Sequence, residues 1–102
     1  MGKQTYHILV SPAAKKDLRK IYKFSIDNWG NKKADNYLNG IKGAFSSISA
    51  NPKVGVNRDD LIQGIKVFQI ESHLVYYQIK LSNIEVVRIL HMKQDPEANL
   101  CR

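Results

Sequence analysis

Residues 73 to 95, HLVYYQIKLSNIEVVRILHMKQD, restrict the possible folds of this chain more than any other stretch. Two runs rich in β-branched and aromatic residues, Leu74 to Leu81 and Ile84 to Leu90, are separated by Ser82 and Asn83, residues that favour tight turns. The pattern predicts a β-hairpin. Both faces of it are apolar, because Leu74, Tyr76, Val86 and Leu90 alternate with Val75, Tyr77, Ile79, Val87 and Ile89. Such a hairpin belongs in the middle of a sheet, covered on both sides by other elements. Arg88 breaks the pattern. A guanidinium in a buried strand needs a partner, so Arg88 is either a strut paired with an acid or a working group at the sheet's edge.

Upstream, Tyr6, Ile8 and Val10 alternate with His7 and Leu9, which reads as a first strand. Ser11 offers a side-chain oxygen to the N–H groups of a helix start, and Pro12 suits the first helical position, where no donor is missed. Ala14, Leu18, Ile21, Tyr22, Ser25 and Trp29 recur at spacings of three and four and predict one buried face, with Trp29 packed where two helices meet. Gly30 provides a left-handed exit, and Asn31 is placed to cap a second helix. That helix buries Ala34, Tyr37, Leu38, Ile41, Phe45 and Ile48; Gly40 and Gly43 weaken it unless they allow close approach to the first helix. Pro52 ends it. With so short a connection, the two helices must form an antiparallel hairpin.

Asn51 to Gly64 is a long loop of Pro, Gly, Asn and Asp, in which an Asp is expected to pair with a basic side chain such as Arg58. Ile65 to Ile70 is a second strand, and Glu71 and Ser72 turn it into the central hairpin. The expected fold is α+β, in the order β-α-α-β-β-β: an antiparallel sheet packed against an N-terminal helical hairpin. Residues 1–102 make one domain, with a short C-terminal tail at 93–102. In that tail Asp95, Pro96 and Glu97 signal a short helix start; it is either a terminal turn whose Leu100 patches the core or an arm that touches a partner.

Sixteen basic residues against 9 acidic ones give a net charge of +7, and 11 of the 16 precede Lys66. Lys15, Lys16, Arg19, Lys20 and Lys23 share one segment with only Asp17 and Asp27 to offset them. A merely solvated face usually mixes its signs, so this one suits an acidic partner. No apolar run reaches the ~18 residues of a membrane span, and the start is too polar for a signal peptide, which points to a cytoplasmic protein with no membrane partner. Cys101 has no cysteine to pair with and no assigned role.

The histidines, His7, His73 and His91, lack metal-ligand spacing, and no metal or other cofactor is expected. Neither a phosphate loop nor a nucleophile elbow is present. Arg88, His91, Lys66 and Tyr77, with Glu71, are the residues from which an acid–base site for RNA cleavage could be built. A basic nucleic-acid-binding module would account for the charge, but the sequence lacks an evident aromatic platform or recognition helix.

Several pieces, in order and at consistent spacing, resemble the ParE toxins of the RelE/ParE superfamily of bacterial toxin–antitoxin pairs. They are SPAAKKDL at the first helix, the Trp29-Gly30 break, Ala34, Tyr37 and Leu38, Asn51-Pro52 with Gly55, Arg58-Asp59-Asp60-Leu61, Gly64-Ile65-Lys66, Tyr76-Tyr77, and VVRILHMKQD. The resemblance covers about Tyr6 to Leu100 and implies a non-enzymatic toxin that acts by binding. Its implied target is DNA gyrase, and its implied neutraliser is a ParD-type antitoxin with an acidic toxin-binding segment; operator DNA would be met only through that antitoxin. The basic set Lys16, Arg19, Lys20 and Lys23 is then the expected antitoxin contact, and the tail residues Lys93, Asp95, Glu97 and Leu100 the expected target contact. The alternative from the same superfamily is a RelE-like ribosome-dependent mRNA endoribonuclease using Arg88, His91, Lys66 and Tyr77. In the ParE-like Arg-Ile-Leu-His signature, His91 instead holds the strand end by hydrogen bonds.

Overall fold

A computed structural model describes residues 6–100. A short strand β1 (His7–Val10) leads into α1 (Pro12–Trp29) and α2 (Asn31–Ala50); β2 (Val56–Asn57), β3 (Ile65–Ile70), β4 (His73–Ile79), β5 (Asn83–His91) and α3 (Pro96–Leu100) follow. The sheet order is β1-β5-β4-β3-β2. The hairpin β4–β5 therefore lies centrally, as its two-sided apolar pattern requires. Pairing is antiparallel except at β1, which runs parallel to β5 in the register His7↔Asn83 to Val10↔Val86. The long connection that a parallel pair needs runs through the helical hairpin and then β2 to β4.

The sheet has a core on each side. Against the helices lie Val75, Tyr77, Ile84, Val86 and Ile89, packed with Ala14, Ile41 and Ile48. On the other side Ile65, Tyr76 and Leu90 are covered by Leu61 and Ile62 of the long loop and by Leu100 of α3. Tyr76 is fully buried, and its hydroxyl has no partner among the described residues.

The division of β5 between these cores differs from simple alternation. Tyr76 pairs with Arg88 but Tyr77 with Val86, so Val87 is an extra residue, a β-bulge. The bulge reverses the inside–outside parity, which puts Val86 with Tyr77 and Val87 with Tyr76, the opposite of the expected assignment. The hairpin tip is also one residue early: the Lys80 N–H donates to the Asn83 carbonyl at 2.7 Å, leaving Leu81 in the turn and fully exposed.

Ser11 caps α1 through its hydroxyl, which accepts from the Ala14 N–H at 3.0 Å, and Pro12 occupies the first turn. Gly30, at φ 89°, ends α1 and starts α2 by itself. With one residue between the helices, Asn31 falls inside α2 and makes no capping bond, contrary to expectation. Gly40 and Gly43 meet open space where a Cβ would stand, so close helix packing does not explain them. Gly55 is different: a Cβ there would lie 2.6 Å from the Tyr77 hydroxyl oxygen and 2.9 Å from the Val67 carbonyl. In the long loop, Arg58 pairs bidentately with Asp60 at 2.9 and 3.0 Å, and Asp59 accepts from the Gly64 N–H at 2.8 Å, as an acid shaping the loop should.

Candidate partner-binding groove

The two ends of α1 meet the sheet in different ways. At the N-terminal end β1 gives out at Val10, and Ser11 and α1 take over its contacts with β5. Ser11 donates from its backbone N–H to the Val86 carbonyl at 3.0 Å and from its hydroxyl to the Val87 carbonyl at 2.8 Å. Six residues later Asp17 accepts both a bidentate pair from Arg88, at 2.8 and 2.9 Å, and the Ile89 N–H at 3.0 Å. Arg88 uses its remaining arm on the Asn99 carbonyl at 2.9 Å, which ties α3 to the same point. The hydrogen bonds and charge of Asp17 raise the guanidinium pKa further. Arg88 is therefore the strut of the two readings above. Asp17, read in the sequence as an offsetting acid on the basic face, is only 8% exposed and does not belong to that face.

At the C-terminal end α1 and α2 stand away from the β3–β4 turn and leave a groove of about 880 Å³. Phe24 and Trp29 of α1, Tyr37 of α2, and His73 and His91 of the two central strands form a chain of rings along it, with neighbouring centroids 5.2 to 6.2 Å apart. Phe24 is 60% exposed and Trp29 51% exposed. The expected core position of Trp29 is thus wrong: the indole stands at the last residue of α1 and packs sideways on Phe24 and Tyr37. Lys20 from α1 and Lys33 from α2 line the same groove, as does Glu71, which holds a left-handed φ of 54° in the β3–β4 turn. Paired exposed aromatics rimmed by cations mark an interaction surface.

The floor is polar and partly dry. The Tyr37 hydroxyl oxygen accepts from the Ser72 N–H at 3.3 Å and bonds to Nδ1 of His73. Burial, reinforced by the nearby His91, pushes the His73 pKa down to about 4 against an opposing pull from Asp17. Burial chiefly raises the Tyr37 hydroxyl, with Glu71 adding to it. Nδ1 of His91 accepts from the Lys93 N–H at 3.1 Å while the His91 N–H donates to the Gln94 side chain at 2.7 Å, fastening the strand end.

Of the basic residues expected to meet an antitoxin, Lys16, Arg19, Lys20 and Lys23 are all exposed on α1, but only Lys20 borders the groove. Lys23 makes an exposed i,i+4 pair with Asp27 at 3.3 Å. Sequence reasoning missed Phe24, Lys33 and His73 and placed Trp29 in the core; Tyr37, expected on the buried face of α2, packs against the core and also lines the groove. The available signal was Phe24, an aromatic lying off the apolar stripe among lysines.

Three of the residues proposed for RNA cleavage are held elsewhere, whereas His91, like Glu71, lines the groove. The Tyr77 hydroxyl donates to the Pro52 carbonyl at 2.7 Å and accepts from the Gly55 N–H at 2.9 Å, pinning the loop; Lys66 donates to the Asn57 side chain at 2.6 Å; Arg88 is bound to Asp17. In the tail, Asp95 caps α3 by accepting from the Glu97 N–H at 3.1 Å, and Leu100 packs on the second core, while Lys93, Asp95 and Glu97 are exposed. Cys101 lies outside the described residues. Among the described residues no group of three or more His, Cys, Asp or Glu is placed to hold a metal ion, and no helix is long and apolar enough to cross a membrane.

A helical hairpin laid on one face of a five-stranded, mostly antiparallel sheet is the architecture of solved toxin–antitoxin toxins. A structure described as the chromosomal ParDE TA system from P. aeruginosa superposes with a TM-score of 0.75 at 19% identity, covering 86% of this chain and 97% of that one. The RelBE2 toxin–antitoxin complex from Mycobacterium tuberculosis gives 0.60 at 18% identity, covering 88% and 94%. The family described as ParE toxin of type II toxin-antitoxin system, parDE, matches residues 8–96. Toxin ParE1 of Mycobacterium tuberculosis is 34% identical over 93 residues, which is 90% of this chain and 95% of the relative. Toxin ParE3 of Caulobacter vibrioides is 31% identical over 84 residues, covering 82% and 84%. This chain belongs to the ParE toxin family of type II toxin–antitoxin systems.

Proposed function

We propose that this chain is a cytoplasmic toxin that acts by binding rather than by catalysis, with DNA gyrase as its target and a ParD-type antitoxin as its neutraliser. One toxin domain over residues 1–102, with a short tail from 93, carries both activities. The observation that supports this reading best is the groove: exposed Phe24 and Trp29, flanked by Lys20 and Lys33, fit the apolar face of an amphipathic helix with acidic edges. Such a segment is disordered alone and folds as it docks. Lys16, Arg19 and Lys23 extend the positive field that draws it in. Lys93, Asp95 and Glu97, exposed beside α3, remain the proposed target contacts.

The second reading, a RelE-like ribosome-dependent endoribonuclease, draws on the fold shared with RelBE2. It is disfavoured by the occupation of Arg88, Tyr77 and Lys66 in structural bonds. The deciding experiment assays purified protein in parallel on gyrase supercoiling and on ribosome-bound messenger RNA. Inhibited or DNA-trapped gyrase with intact RNA is expected; RNA cutting without an effect on gyrase would overturn the assignment.

A further inference from the structure

The floor of the groove contains two hydrogen-bond donors without a partner among the described residues. The Tyr37 hydroxyl oxygen already accepts from Ser72, so its own hydrogen is free for Nδ1 of His73, and the His73 ring proton then sits on Nε2. At His91, Nδ1 accepts from the Lys93 N–H, which likewise puts the proton on Nε2. The rings stand edge to face at 5.2 Å, both line the groove, and neither Nε2 has a partner among the described residues. Neighbours with charge are Lys20 on α1, Lys33 on α2 and Glu71 on the β3–β4 turn, with Asp17 acting on His73 from α1. Two cations and two N–H donors outweigh Glu71 at the rim, and the charge of Asp17 is already paired with Arg88.

The geometry points to a carboxylate-binding subsite on the groove floor, in which Nε2 of His73 and of His91 receive one acidic side chain of the docked segment while Phe24 and Trp29 hold its apolar face. This rests on the groove being the antitoxin site and names the chemistry by which that site chooses its occupant. An amphipathic helix without an acid at that position would leave both donors unpaired in a half-dry floor, which is how a polar site rejects a wrong ligand. Bound carboxylate also favours imidazolium at His73. In that state Tyr37 can accept from Nδ1–H instead of donating to Nδ1, so binding takes up a proton and strengthens as pH falls.

Trp29 is the only tryptophan, so its fluorescence reports on the groove. The probe is 3-phenylpropionate, an aromatic ring with a carboxylate, against 3-phenylpropionamide as the neutral control. The acid is expected to shift Trp29 emission and the His73 imidazole resonances, and to bind about three- to tenfold tighter at pH 5.5 than at pH 7.5. The amide should bind at least about tenfold more weakly. A His73→Phe, His91→Phe double variant keeps both rings but should lose the preference for the acid, and His91→Gln, which retains an N–H donor, should keep most of it. Equal binding of acid and amide, or no response to the acid at about 10 mM, which half-fills a site with a Kd in that range, overturns the subsite. A ParD-type antitoxin that binds this chain separates the two levels of argument by calorimetry. If Trp29→Ala abolishes antitoxin binding and the double histidine variant changes neither affinity nor its pH slope, the groove stands and the subsite falls. If Trp29→Ala has no effect, the groove assignment falls with it.

Discussion

The first and second halves of α1 are joined to the same sheet and show opposite economies of polar groups. From Ser11 to Asp17 the groups at the sheet junction find partners: two carbonyls, an N–H and a guanidinium of the bulged strand are each answered from the helix. From Lys20 to Trp29 the helix carries exposed rings and exposed lysines over a floor whose donors have no partner among the described residues. The difference shows what each half is for. A junction whose bonds are all made inside the chain stabilises the fold, whereas one that leaves surface and donors open is completed by something else.

The strongest test of the closed half is Asp17→Ala. It leaves the Arg88 guanidinium and the Ile89 N–H uncompensated at a largely buried site, and about 3 to 5 kcal/mol of stability should be lost in a denaturant melt. A loss under about 1 kcal/mol would mean that water replaces the carboxylate and that this junction is not closed. In the open half, Trp29→Ala should cost less than about 1 kcal/mol of folding stability but about 2 kcal/mol or more of antitoxin affinity, as an anchor residue does. A melt showing the large loss expected of a buried indole would reverse the comparison.

Tyr76→Phe removes a buried hydroxyl without a partner among the described residues. It should leave stability unchanged or raise it by about 1 kcal/mol, and a clear loss would reveal a bonded water. His73, with its pKa depressed to about 4, binds a proton more weakly in the folded than in the unfolded chain, whose value is the ordinary one near 6.5. The unfolded state therefore holds more protons between those values. Stability should be complete above about pH 6.5 and decline toward pH 4, and His73→Gln should flatten that part of a pH series of melts. The smallest change is expected on the exposed face: Lys16, Lys20 and Lys23 together replaced by Glu should weaken antitoxin binding at low salt and do so less at high salt, with the melt unmoved. Affinity that ignores both the reversal and the salt would return these lysines to plain solubility.

The sequence alone determined the elements except β2, which lies inside the stretch read as a loop. The capped start at Ser11 and Pro12, the helix break at Gly30, the two 3.6-period stripes and the two-sided apolar hairpin are local patterns, dictated by backbone sterics and by the need to bury apolar area. The shaping of the loop by Arg58 and Asp60 and the demand of Arg88 for a partner belong to the same local chemistry. What only the tertiary structure decided depends on residues far apart in the chain. The one-residue bulge at Val87 redistributes β5 between the two cores, and periodicity carries no trace of it because both readings are equally apolar. The direction of β1 depends on the path of the long connection to β5. Asp17 looked like one more surface charge until a strand 71 residues away placed Arg88 beside it. Trp29, Phe24, Tyr37, His73 and His91 form one groove because the second half of α1, the first half of α2 and the ends of two strands converge there, which no single segment encodes.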